Sequence, residues 1–222
     1  MTDSTLQRLN MVESQVRPSD VTDRRILKAM LALPRERFVP SDAVSMAYMD
    51  GPVALNPANA AASRYLLPPR TFAKLLQLAD IDPEADVLDV ACGTGYSTAI
   101  LSSLAKRIVA VEQEKMLAEQ ARRLLDEFGI GNAIVVDGRL TAGVPAEAPF
   151  DVILINGAVE TVPPALLAQL KEGGRLVTVA AEKVVCRAKV WQRVGSTFDV
   201  RPAFEAVAII LPGFEQPDGF VF

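Results

Sequence analysis

The residues best able to do chemistry lie in one stretch, Val87-Leu-Asp-Val-Ala-Cys-Gly-Thr-Gly-Tyr-Ser-Thr-Ala-Ile-Leu. Its pattern is a short apolar strand, a loop holding Gly93 and Gly95, and the start of a helix. Glycine lets a ligand approach the backbone, because it has no Cβ and tolerates positive φ. A helix N-terminus adds unpaired N–H groups and partial positive charge. Taken alone, such a loop is equally well a tight turn with no ligand. The next apolar run, Arg107-Ile-Val-Ala-Val, ends at Glu112. A carboxylate at that point can accept from both hydroxyls of a ribose, so loop and acid together point to a nucleoside.

The loop departs from the GxGxxG of dinucleotide sites, since Ser97 and Thr98 stand where a third glycine would help. Asp89, at the strand end, would repel a pyrophosphate but could attract a cationic aminoacyl group. The pattern therefore fits S-adenosylmethionine, with Asp89, Ala91, Gly93 and Gly95 around it and Glu112 on its ribose. Asp137 and Gly138 follow the run Ile134-Val-Val, where a carboxylate could accept from the adenine amino group. An ordinary strand-end turn accounts for that pair equally well.

What is missing narrows the chemistry further. The 222 residues include no histidine, which excludes a Ser-His-Asp or Cys-His relay and any His-ligated zinc. The two cysteines, Cys92 and Cys186, form no CxxC and supply no zinc site. Cys92 lies in the glycine loop, but the turn needs a small residue there, and we read it as structural. A net charge of −4 argues against a nucleic-acid binder that works by bulk positive charge. The first residues are polar, and no apolar run is long enough for a membrane span. These features predict a reduced, cytoplasmic chain.

Elements must hold these groups in place. The chain divides into residues 1–69, a helical segment and a Pro/Ala-rich loop, and residues 70–222, a nucleoside-binding α/β domain, expected to form one structural unit. A helix is expected to start near Asp20-Val-Thr, with Ile26, Leu27, Met30 and Leu31 at helical spacing, and to stop at Pro34. The stretch 51–69 holds four prolines and two asparagines, a composition of lids and binding segments. Beyond it, helical patterns at Arg70–Ala79, Ser97–Ala105, Lys115–Phe128 and Pro164–Leu170 alternate with apolar runs at 86–90, 107–111, 133–136, 150–155 and 175–179. Alternation of this kind implies a mostly parallel sheet covered on both faces. Val184–Gln192 and Phe204–Leu211 are the last expected strands, with Lys189–Val200 reading as a hairpin that makes an antiparallel edge. The expected fold is a Rossmann-like α/β domain with seven strands and an N-terminal helical extension.

The sequence resembles class I methyltransferases, and within them the protein-L-isoaspartate O-methyltransferase family. The resemblance spans roughly residues 11–212. It rests on Met11-Val-Glu-Ser-Gln-Val-Arg, Val21-Thr-Asp-Arg-Arg-Ile-Leu, Pro34-Arg-Glu-Arg-Phe-Val-Pro, Ala47-Tyr-Met-Asp, the glycine loop and Leu170-Lys-Glu-Gly-Gly-Arg-Leu-Val. It implies methyl transfer from S-adenosylmethionine to the α-carboxylate of L-isoaspartyl residues in damaged proteins, as a step in their repair. It also implies a protein or peptide partner, and no metal. The family carries Thr-x-Ser-x-Pro before the helix at 70; in that register this chain has Ala62-Ser-Arg-Tyr. Arg64 falls on the family serine, and Ser63 lies one residue off. Ser63 and Arg64 are therefore the candidate catalytic residues, Arg64 as a bidentate grip on a carboxylate. Ala91 replaces the family's first glycine. The changed loop leaves two alternatives open: the same fold acting on another acceptor, or a cofactor-binding protein without catalysis.

Overall fold

The computed structural model describes residues 3–56, 64–182 and 185–216. The N-terminal segment is helical, as its pattern predicts. Helix α1 (Asp3–Met11) runs into a π-helical turn over Val12–Val16, and α2 spans Arg24–Ala32. Asp23 starts α2 by accepting from the Arg25 N–H, three residues beyond the expected Asp20. Leu33 takes an extended conformation before Pro34, where the helix stops.

A two-residue ribbon follows, β1 (Val53–Ala54) against β2 (Tyr65–Leu66). Helix α3 (Pro69–Ala79) begins with proline at a position whose N–H needs no partner. Then come β3 (Asp86–Val90), α4 (Tyr96–Leu101), β4 (Arg107–Glu112), α5 (Lys115–Glu127), β5 (Ala133–Asp137), β6 (Phe150–Val159), α6 (Pro164–Leu167), β7 (Leu170–Ala181), β8 (Cys186–Val194) and β9 (Thr197–Glu205). Helices α4 and α6 are shorter than their patterns suggest. In α4, the Ser102 and Ser103 hydroxyls donate to carbonyls three residues back, at Ala99 and Ile100, and compete with continued helix. Helix α6 ends at Leu167 and β7 already begins at Leu170.

The seven strands are ordered β5-β4-β3-β6-β7-β8-β9. The first five are parallel and the last two antiparallel. The final strand differs from expectation. It covers Thr197–Glu205 and closes a hairpin on β8, whereas Ile210 makes only an isolated bridge to Ala158. The hairpin's Gly195–Ser196 turn decides this, because it sets the register of all that follows. Strands β3, β4 and β6 are buried on both faces, which explains their unbroken apolar runs.

One continuous core joins the N-terminal segment to one face of this sheet, from Met11, Met30 and Phe38 through Leu75, Tyr96 and Val177. Phe38 is central to it. Its ring stacks on Phe128 and meets Tyr96 edge-on, each at 5.5 Å. Arg35 is fully buried beside it and bridges separate segments: Nε donates to the Ala47 carbonyl (2.7 Å) and Nη2 to that of Leu67 (2.8 Å). Its guanidinium lies 4.8 Å from the Tyr96 ring centre, and burial lowers its pKa. Tyr48 and Asp50 have structural partners too. The Tyr48 hydroxyl donates to Glu36, and Asp50 accepts from the first turn of α3 at the Arg70 N–H. The motifs Pro34-Arg-Glu-Arg-Phe-Val-Pro and Ala47-Tyr-Met-Asp thus brace one another.

Candidate functional site

Strand order reverses at β3, which has β4 on one side and β6 on the other. Helical connections leave such a point in opposite directions, so a crevice opens at the carboxyl ends of the strands. The glycine loop lies there. Ala91, Gly93 and Gly95 all take positive φ, at 60°, 56° and 91°. Only the first carries a side chain, so the family glycine that Ala91 replaces stands where glycine is favoured. A Cβ on Gly93 would come within 2.5 Å of the Leu55 side chain, and one on Gly95 within 3.1 Å of the Ala121 Cβ on α5. Gly93 therefore lets the β1–β2 ribbon lie against the loop, and Gly95 lets α5 do so from the other side. The loop is tied to the N-terminal segment by the Thr94 hydroxyl, which donates to the Phe38 carbonyl at 2.6 Å.

Asp89 is fully buried and faces inward. Its Oδ2 accepts from the Ser97 and Thr98 hydroxyls (2.7 and 2.6 Å), and its Oδ1 from the Asn156 amide (2.6 Å). Burial raises its pKa to about 6, against the lowering effect of these three donors; the charge of Glu112 adds to the rise. In this arrangement Asp89 organises the turn into α4, and its oxygens are engaged with protein donors. Asn156 also donates to the Val90 carbonyl, so β6 and β3 are locked together at the site. Ser97, Thr98, Asn156 and Thr94 did not stand out as site residues in the sequence. Hydroxyls directly after Gly-Thr-Gly were the available signal, since a buried strand-end carboxylate needs donors.

Glu112 ends β4 with no exposed surface. Its Oε2 accepts from the Gly93 N–H at 3.0 Å, which brings the two sequence-predicted features together. Its Oε1 accepts from the N–H groups of Gln113 (2.8 Å) and Glu114 (2.9 Å). The third donor to Oε1 is Arg64 Nε, at 3.0 Å, in an ion pair whose side chains are at most 2% exposed. Arg64 is therefore placed on the expected ribose carboxylate, and in this structure it does not offer its guanidinium to an open acceptor site. Ser63 lies outside the described residues. Asp137 is the register partner of Glu112 across β4 and β5, and it accepts from Arg122 at 2.9 Å. The Gly138 N–H donates to the Glu112 carbonyl, and a Cβ there would meet Val111 at 3.3 Å. Asp137 and Gly138 thus stand beside Glu112 at the same sheet edge.

Cys92 is buried and its thiol pKa is pushed well up by desolvation, so it stays protonated and unsuited to nucleophilic attack. The space between loop and ribbon, lined by Leu55, Tyr65, Ala91, Cys92, Ser97 and Asn156 among others, is only about 10 Å³. That is the room of a single water. Larger indentations lie at the amino ends of the strands near Asp82 and Lys171 (about 450 Å³) and between α2 and α4 (about 380 Å³). Neither is lined by the glycine loop or by Glu112. Among the described residues, no cluster of carboxylates and cysteines suits a metal ion, and no helix is long and apolar enough to cross a membrane.

Comparison with known proteins points to one family. The family model for protein-L-isoaspartate(D-aspartate) O-methyltransferase matches residues 7–205. A relative from Koribacter versatilis, a protein-L-isoaspartate O-methyltransferase, is 38% identical over 177 residues, covering 80% of this chain and 78% of its own length. Protein-L-isoaspartate O-methyltransferase 2 of Shewanella sediminis is 39% identical over 170 residues, covering 77% and 68%. Among solved structures, a protein-L-isoaspartate O-methyltransferase superimposes with a TM-score of 0.81 at 28% identity, over 93% of this chain and 66% of that one. A Plasmodium falciparum chain described as a β-aspartate methyltransferase, in complex with S-adenosyl-L-homocysteine, has a TM-score of 0.76 over 92% of this chain. At 17% identity it speaks for the fold alone.

Proposed function

The chain belongs to the protein-L-isoaspartate(D-aspartate) O-methyltransferase family, and from that premise we propose that it methylates the α-carboxylate of L-isoaspartyl residues in proteins or peptides, using S-adenosylmethionine. The observation that carries this reading is the buried Glu112 carboxylate, hydrogen-bonded to the glycine loop at the carboxyl end of β4, in a chain that the family model matches almost throughout.

The donor and acceptor set fits that cofactor. Glu112 would take the ribose hydroxyls; Asp137 and Gly138, next along the sheet edge, would flank the adenine. Gly93 and Gly95 supply the positive-φ turns that would shape the loop around the cofactor, with the ribbon and α5 packed where their Cβ atoms would lie, and Ala91 lines it. Asp89 acts through Ser97, Thr98 and Asn156 to hold the loop and the start of α4. When bound, S-adenosylmethionine supplies a methyl group made electrophilic by its sulfonium. An acceptor carboxylate is ionised at neutral pH and requires no general base, in keeping with a chain that has no histidine. The work left to the protein is to bind and align the carboxylate and to keep water out. Ester formation then permits closure to a succinimide, and hydrolysis of that ring partly restores an aspartyl linkage.

Substitution of the family's hydroxyls around Arg64 favours a second reading, a methyltransferase of this family with another carboxylate acceptor. Labelled S-adenosylmethionine, offered with an isoaspartyl peptide and its aspartyl twin, tests both. The expected result is a base-labile methyl ester on the isoaspartyl peptide alone, releasing methanol in alkali. An alkali-stable mark would indicate N-methylation. Cofactor binding with no label on peptide or aged lysate would indicate a non-catalytic binder.

A further inference from the structure

Glu112 is asked to serve more donors than a carboxylate can accept. Two carboxylate oxygens offer about four lone-pair sites. Among the described residues four donors already claim them, unevenly: Arg64 Nε and the N–H groups of Gln113 and Glu114 crowd Oε1, and the Gly93 N–H takes one site on Oε2. A ribose diol would bring two more. Three of the present donors are backbone groups held by the β4–α5 connection and the glycine loop, and they cannot leave without local unfolding. Arg64 is the one side chain among them. Its backbone is anchored separately: its N–H donates to Asn56 Oδ1 (2.8 Å), its carbonyl accepts from the Leu55 N–H (2.8 Å), and β2 begins at the next residue. Parting Arg64 from Glu112 therefore leaves these backbone bonds of the ribbon in place.

We propose that Arg64 is an internal competitor for Glu112, displaced by the cofactor's ribose and thereby delivered as the cation that receives the acceptor's carboxylate. This rests on the reading of Glu112 as the ribose-binding group. A guanidinium released from a buried pair is costly unless it finds another anion. An acceptor carboxylate supplies one, in the planar two-oxygen form that arginine grips best. The consequence is order: cofactor first, carboxylate second, because the cation is engaged until the ribose takes its place.

The test is calorimetry with S-adenosylhomocysteine on Arg64→Met, which removes the charge and keeps an apolar stem, and on Arg64→Lys, with Glu112→Gln alongside. Thermal unfolding of each variant establishes that it is folded. Competition predicts that Arg64→Met binds S-adenosylhomocysteine more tightly than the parent, by about tenfold or more, with Arg64→Lys between them. In steady-state assays the KM for the isoaspartyl peptide should rise in Arg64→Met by a similar factor while cofactor affinity moves the other way. A merely structural Arg64 would weaken both together. Unchanged or weaker cofactor binding in Arg64→Met, with Glu112→Gln clearly weakened, overturns the competition and leaves the reading of Glu112 intact. An unchanged peptide KM overturns the delivery of Arg64 to the acceptor. If Glu112→Gln binds S-adenosylhomocysteine as the parent does, the reading of Glu112 itself is lost.

Discussion

A carboxylate with no exposed surface carries its cost as a function of pH, and Asp89 shows how. Its side chain accepts three hydrogen bonds, yet burial still lifts its pKa from the usual carboxylate value of about 3.9 to about 6. Between those values the folded protein holds a proton that the unfolded chain has released. Stability therefore falls as pH rises from about 4 to about 6, and levels off above. Asp89→Asn removes this dependence while keeping a side chain of the same shape. Relative to the parent, the variant should gain stability between pH 4 and pH 7, by roughly 1.4 kcal/mol for each unit of the shift. Urea unfolding at a series of pH values measures it. Parallel curves for parent and variant would mean that Asp89 titrates as an ordinary exposed carboxylate does.

At the scale of the element, the glycine loop is built from three residues with positive φ, of which one is not glycine. Ala91 pays a left-handed cost of roughly 1–2 kcal/mol, which glycine avoids; glycine in turn loses about 0.4–1 kcal/mol through the greater freedom of the unfolded chain. Ala91→Gly should thus stabilise by a few tenths to about 1 kcal/mol, seen as a raised Tm, with S-adenosylhomocysteine affinity little changed. A lower Tm would mean that the Ala91 methyl, packed with Leu88 and Val90, contributes more than the strain removes. Gly95→Ala is the contrasting case. It adds both the φ penalty and a Cβ at 3.1 Å from Ala121, and should destabilise by more than about 1 kcal/mol.

At the scale of the whole molecule, the N-terminal segment is a wall of the site. Phe38 fills the space between α4 and the end of α5, and its carbonyl holds Thr94 in the glycine loop. Arg35 holds the segments at Ala47 and Leu67, on either side of the β1–β2 ribbon. Phe38→Ala should cost about 3–5 kcal/mol by cavity formation. It should also weaken S-adenosylhomocysteine binding, because the backbone carbonyl that holds Thr94 is no longer fixed in place by a ring packed between Tyr96 and Phe128. Phe38→Leu should show both effects in milder form. Thermal unfolding and calorimetry on the same samples separate the two. Full retention of cofactor affinity in a destabilised Phe38→Ala would show that the loop stands without this segment.

The sequence by itself determined the α/β alternation, the parallel core strands, and the pairing of a glycine loop with Glu112. Periodicity and glycine placement are local properties, and a strand, a turn and the carboxylate at the next strand end are each written within a few residues. It also marked Pro34-Arg-Glu-Arg-Phe-Val-Pro as significant without disclosing that Arg35 and Phe38 are buried supports. Tertiary structure alone decided what occupies each carboxylate. Asp89 and Ser97 are near in sequence, but Asn156 reaches Asp89 only because β6 lies beside β3. Arg64 meets Glu112 across 48 residues, on a ribbon whose approach depends on Gly93 having no side chain. Hydrogen-bond capacity is a property of the residue, and is visible in the sequence; which donors claim it is settled by packing, because a buried oxygen accepts from whatever the fold brings within about 3 Å.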